Sequence, residues 1–197
     1  MTENSVYLQP AFILQYRNYR ETSLIIDVIT RDFGRISLVA HGVRKAKSKT
    51  AGTLQPFIPL ALSYTGKAEL KTLCAVEIMA PTIRLPGLAL YCGFYVNELI
   101  SCFLHRDDPH PEVFDLYKQS LINLTDNSKI EATLRAFELN LMENVGYGLY
   151  WQHDEPVNLL EKYRFTIAEG LVPAQNGICS GKTLQAINLR DFSDPEV

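Results

Sequence analysis

The hydrophobic residues of this chain change period at Pro81, and that change constrains the fold more than any other feature. Before it, the sequence alternates or runs in short β-branched stretches. Ala11–Tyr16 and Thr22–Thr30 are rich in Ile, Val, Thr and aromatic residues. A turn at Arg31-Asp32-Phe33-Gly34 leads into the alternating segment Arg35–Ala40, the pattern of a hairpin. A Lys/Arg-rich stretch intervenes, and Phe57–Tyr64, a turn at Gly66 and Leu70–Met79 complete about five strands. Five short strands in 80 residues suit a closed antiparallel barrel of the OB-fold pattern, and also an SH3-like barrel.

After Pro81 apolar residues recur at spacings of three and four, the helical period. Leu88, Tyr91, Cys92, Tyr95, Leu99, Cys102 and Phe103 form one stripe. Asp107-Asp108-Pro109-His110-Pro111 breaks it, and Val113, Phe114, Tyr117, Leu121 and Leu124 form a second. Ser128-Lys-Ile-Glu131 reads as a capping box opening a third helix through Ile130, Leu134, Phe137 and Leu141. Gly146 and Gly148 are suited to ending it. Beyond lie a candidate strand at Tyr163–Ile167, a turn at Glu169-Gly170 and a short helix from Ser180 to Asn188. The fold class expected is therefore α+β. Residues 1–80 are expected to form the small barrel, and residues 81–197 a helical-bundle domain.

Charge is divided in the same place. Residues 1–80 carry ten Lys and Arg against six Asp and Glu, whereas the remainder is strongly acidic, so the net charge of −3 conceals a basic front module. Four cations, Arg44, Lys45, Lys47 and Lys49, fall within six residues directly after a strand. Cations at this density neutralise phosphates and release counterions, and Gly42, Ser48 and Thr50 add donors for phosphate oxygens. Arg17, Arg20, Arg35, Lys67 and Lys71 extend the patch if they share its face. Tyr16, Tyr19, Phe33 and Tyr64 are candidate stacking platforms, although most aromatic residues in so small a barrel belong to its core.

Other chemistries find little support. Gly181-Lys182-Thr183 ends like a phosphate-binding P-loop, but Asn176 stands where the first glycine belongs, so the triplet is expected to open the last helix. No pair of Cys or His has structural zinc spacing apart from Cys102 and His105, which lack a second pair. Glu98 follows an apolar run and is expected to be partly buried, with no reaction partner near it in sequence. No catalytic set emerges, and no enzymatic activity is expected. Met1–Ser5 has no signal-peptide character, and the apolar stretch Leu88–Val96 is too short to span a bilayer. The four cysteines, widely separated, are read as small and mostly buried hydrophobes in a reducing compartment.

Taken together, several segments resemble the RecO family of recombination mediators. They are Arg20–Ser23, Gly34–Arg44, Leu54–Phe57, Leu70–Leu73, Leu90–Leu99, and Leu134–Leu139 with Gly146-Tyr-Gly148, in family order over about 140 residues. The resemblance implies an OB-fold nucleic-acid-binding domain in residues 1–80 and a helical, partner-docking domain in residues 81–197, in a cytoplasmic, nucleoid-associated bacterial protein of DNA damage repair in the RecF pathway, here expected as a monomer. Such proteins bind single- and double-stranded DNA, anneal complementary strands, work with RecR, and bind the acidic C-terminal tail of the single-stranded-DNA-binding protein SSB. They thereby assist RecA loading. The loop from His41 to Lys49 matches the family's DNA-facing loop. The DNA-binding residues expected are Arg35, His41, Arg44, Lys45, Lys47, Lys49 and Lys71. Arg135 matches an arginine implicated in SSB-tail docking, with Phe114, Tyr117, Leu121 and Leu139 as candidate pocket walls. Many members carry a four-cysteine zinc module that is missing between Trp151 and Asn176, so no metal or other cofactor is expected. The chain also ends earlier than is usual for the family, which puts a C-terminal helical portion in question. Two rivals remain at this point: a scaffold that bridges RecR and SSB without touching DNA, and an NTPase using Lys182.

Overall fold

Five strands close into a barrel in a computed structural model of the protein, which describes residues 5–46, 48, 50, 52–148 and 157–192. They are β1 (Ser5–Tyr19), β2 (Ser23–Thr30), β3 (Gly34–Ala40), β4 (Leu60–Thr65) and β5 (Leu70–Ile78). The order around the barrel is β1-β2-β3-β5-β4, antiparallel throughout except for the parallel β3–β5 pair. That closure is the OB-fold arrangement and decides against an SH3-like barrel. β1 closes it by pairing with β2 along one edge and β4 along the other, with a register shift on each. Inward positions two apart along the strands, such as Leu24, Ile26 and Val28 on β2 and Ile36, Leu38 and Ala40 on β3, fill the interior.

Gly34 shapes the β2–β3 turn. Its φ of +67° is one that side chains rarely adopt, and a Cβ built there would lie 2.0 Å from the Asp108 carbonyl oxygen. The turn and the loop carrying Asp108 therefore touch backbone to backbone.

The chain divides into two compact units, residues 1–130 and 131–197. Pro81 is where strands give way to helices, but α1 (Leu88–Phe103) and α2 (Pro111–Asn123) belong to the same unit as the barrel. Their core partner on the barrel is the outer face of β1, where Phe12 packs against the rings of Phe114 and Tyr117 at 5.6 and 5.2 Å between centroids. A buried amide ties all three elements together. Asn97 on α1 donates from Nδ2 to the Leu14 carbonyl at 2.8 Å, and its Oδ1 accepts from the Tyr117 hydroxyl at 2.7 Å.

The second unit contains most of α3 (Ile130–Asn144), a three-stranded sheet of β6 (Lys162–Thr166), β7 (Gly170–Pro173) and β8 (Cys179–Ser180), and α4 (Gly181–Leu189). It is thus mixed rather than all-helical. Tyr163, Leu171 and Leu184 form its small core. Arg190, beyond α4, reaches α3 through Glu143 at 2.5 Å and Asn140 at 3.2 Å.

Several expectations are corrected. On α1 the buried positions are Ala89, Cys92, Gly93, Val96, Asn97 and Ile100, so the helix is rotated from the expected stripe. Leu88 and Tyr91 are instead 65% and 73% exposed. Glu98 is exposed, and the buried polar residue is its neighbour Asn97. Ahead of α3 the chain makes a short 3-10 turn, Asn127–Lys129, capped by Asp126, whose carboxylate accepts from the Ser128 amide and hydroxyl and pairs with Lys129. Of the cysteines, only Cys92 is buried; Cys74 and Cys102 are exposed. Among the described residues, no helix is long and apolar enough to cross a membrane.

Candidate nucleic-acid interface

The basic loop leaves β3 at Ala40 and is anchored at once to the β1–β2 turn. The Arg44 amide donates to the Thr22 carbonyl at 2.9 Å, and its guanidinium donates to the Arg20 carbonyl at 3.3 Å. His41 Nδ1 lies 3.5 Å from Ser23 Oγ. Two further backbone bonds, Lys45 to Gly42 and Ser48 to Lys45, coil the loop's first turns. Gly42, at a φ of +68°, makes the reversal, and the Lys45 side chain lies across it.

This anchoring brings Arg20, Arg44 and Lys45 to one end of the barrel. All three are exposed, and none is paired with a described carboxylate. The Arg20 guanidinium stands 5.1 Å over the Tyr19 ring, which leaves its charge available while orienting it. Lys47 and Lys49 belong to the same loop but lie outside the described residues.

The two other expected DNA contacts are elsewhere. Arg35 starts β3 and His41 follows its end, a separation of roughly 20 Å in an extended strand. Burial, and secondarily the nearby Arg106, push the Arg35 guanidinium below its ordinary value, and its Nε has no hydrogen-bond partner. Lys71 on β5 is committed to Asp107 at 2.6 Å, its side chain only 13% exposed. Both belong to a charged strap that holds the chain after α1 on the barrel wall. There Arg106 reaches Glu69 at 3.4 Å and Asp27 at 3.7 Å and donates to Ser37, which in turn donates to Asp27. The Asp107 amide donates to the Arg35 carbonyl at 2.9 Å. Arg17 lies beside this strap, in a hollow shared with Ser37, Glu69 and Arg106.

Among the aromatic candidates, Tyr16 is 51% exposed, and Phe33 is half-exposed with its ring against Tyr64. Tyr64 itself is buried in the barrel core.

The residues expected to dock an SSB tail are divided between the two units. Phe114, Tyr117 and Leu121 are core residues of the first, buried beside Phe12 and offering no surface to a peptide. Arg135 and Leu139 are on α3 in the second. Arg135 is half-exposed and pairs with Glu138 at 2.9 Å, and Leu139 is half-buried.

Gly181-Lys182-Thr183 opens α4, with Ser180 Oγ accepting from the Thr183 amide at 3.1 Å. No group of three or more His, Cys, Asp or Glu among the described residues is placed to hold a metal.

Comparison with known proteins narrows what this arrangement belongs to. The family model described as recombination protein O, N terminal, matches residues 1–82, and that described as recombination protein O, C terminal, matches residues 85–157. The DNA repair protein RecO of Nitrosospira multiformis is 41% identical over 197 residues, covering 95% of this chain and 81% of that protein. That of Dechloromonas aromatica is 41% identical, covering 95% and 82%. For Haemophilus influenzae RecO the identity is 40%, covering 96% and 84%.

Proposed function

The chain belongs to the RecO family of DNA repair proteins, and from that premise we propose that it is a recombination mediator holding DNA by its phosphates at one end of the barrel. Its role lies in DNA repair and recombination. The observation that carries the finer reading is the loop anchorage. Arg20, Arg44 and Lys45 stand exposed and unpaired together, whereas Lys71 and Arg106 are neutralised within the fold. Cations left free in this way gain most from counterion release.

Bound strands lose part of their mutual repulsion, so two complementary strands held on such a surface anneal with no covalent step and no nucleotide. The protein acts as a binder rather than an enzyme. Single- and double-stranded DNA both present the phosphates it needs. In the same reading it works with RecR and helps RecA load on SSB-coated DNA. Arg135, whose side chain is half-exposed beside Glu138, receives the carboxylate end of the SSB tail.

Annealing of two complementary oligonucleotides, with and without SSB and without ATP, tests the proposal. Acceleration in the absence of ATP is expected, and charge reversal of Lys45, Lys47 and Lys49 abolishes it. A wild-type protein that neither shifts naked single-stranded DNA at low salt nor speeds annealing would be a scaffold instead. Arg135→Ala is expected to weaken an SSB-tail peptide about tenfold in fluorescence anisotropy and to leave DNA binding intact.

A further inference from the structure

The β3–β5 ladder that closes the barrel is short beside the basic loop. The β3–β5 ladder ends at Val39 and Thr72, while β5 continues to Ile78 paired with β4 alone. In the gap lies a groove of about 390 Å³. His41, Thr50 and Thr53 line the loop side, and Cys74, Ala75 and Val76 line the strand side. Cys74 is the residue skipped where β5 shifts register against β4, since Tyr64 faces Leu73 and Ser63 faces Ala75. A bulge of this kind re-aims a side chain and interrupts pairing, and the Cys74 thiol is exposed.

We infer that this groove receives an unstacked base of single-stranded DNA whose phosphates are held by Arg44 and Lys45. The inference rests on the phosphate-binding reading above and deepens it. A splayed base asks for apolar contact on its face and a few donors and acceptors at its edge. Ala75 and Val76 offer the first; the Thr50 and Thr53 hydroxyls and the His41 imidazole offer the second. Charge fixes the occupant. Val43 lines the groove, and the two free cations Arg44 and Lys45 follow it directly in the chain, so a strand lying on them has its sugar and base beside the opening. A paired and stacked base cannot enter, which makes the groove selective for single strands within a surface that otherwise accepts both forms.

The groove carries its own reporter. Iodoacetamide labelling of Cys74 in the full chain, read by peptide mass spectrometry with exposed Cys102 as reference, is followed with two saturating probes. One is an oligothymidylate, the other an abasic strand of equal length, and the affinity of each is measured in parallel. The thymidylate is expected to slow Cys74 labelling about tenfold or more without changing Cys102. The abasic strand is expected to bind yet leave Cys74 within about twofold of the free rate. Filling the groove with Cys74→Trp should weaken single-stranded binding about tenfold, the range set by one lost base contact, with duplex binding unchanged. If both probes bind while Cys74 labelling stays unchanged, or is slowed equally by both, the base site is overturned and the phosphate reading stands. Protection by an acidic peptide and by no oligonucleotide would also overturn it, giving the groove to a peptide strand. If neither probe binds, both readings fall together.

Discussion

Asn97 joins α1, β1 and α2 through a single side chain, and both of its partners are buried with it. Asn97→Ala orphans the Leu14 carbonyl and the Tyr117 hydroxyl at once. The expected loss is about 3 kcal/mol in urea denaturation, against about 1–2 kcal/mol for Tyr117→Phe, which orphans one acceptor. Tyr64 is the opposite case. Its hydroxyl is buried in the barrel without a hydrogen-bond partner, and burial, aided by Asp107, pushes it up to about 12. Because the folded value is raised, the protonated form stabilises the fold fully below pH 10. That contribution is lost as pH rises from about 10 through about 12. Tyr64→Phe is therefore expected to be neutral or stabilising by about 1 kcal/mol at pH 8. It also removes part of the alkaline loss, which equilibrium unfolding at pH 8 and pH 11 measures.

Among the elements, Gly34 in the β2–β3 turn is the most constrained. Gly34→Ala meets both the left-handed backbone and the Asp108 carbonyl, and a loss of about 2–3 kcal/mol is expected from thermal unfolding. This turn was legible in the sequence, as was the existence of five strands, but β1 begins at Ser5 rather than Ala11 and β4 at Leu60 rather than Phe57. The buried stripe of α2 was legible too, since polar residues such as Asp115, Lys118 and Gln119 mark its outer face. The stripe of α1 was not. That helix is apolar nearly all round, with Leu88, Tyr91, Phe94 and Tyr95 on the exposed side, so spacing alone leaves its rotation open. The candidate interface divided on the same principle. His41, Arg44 and Lys45 are local in sequence and stay together. Arg35 and Lys71 depended on where distant carboxylates lie, and Asp107 and Arg106 claim the space around them. Arg20 was readable only as a possible extension, because what brings it to the loop is a bond between two turns 24 residues apart.

At the scale of the whole molecule, an acidic protein presents a basic end, and the fold makes that end more distinct than composition does. Cations along the barrel wall are spent on the strap after α1, and those at the loop are left to solvent. In the proposed function these free cations hold DNA by its phosphates. The most direct measurement is the salt dependence of affinity for a single-stranded oligonucleotide. The protein in which Arg20, Arg44 and Lys45 are replaced by Ala is compared with the wild type and with Lys71→Ala. The slope of log affinity against log salt is expected to be shallower by about 2 in the triple variant and unchanged from wild type in Lys71→Ala. A triple variant that keeps the wild-type slope would contradict the proposal.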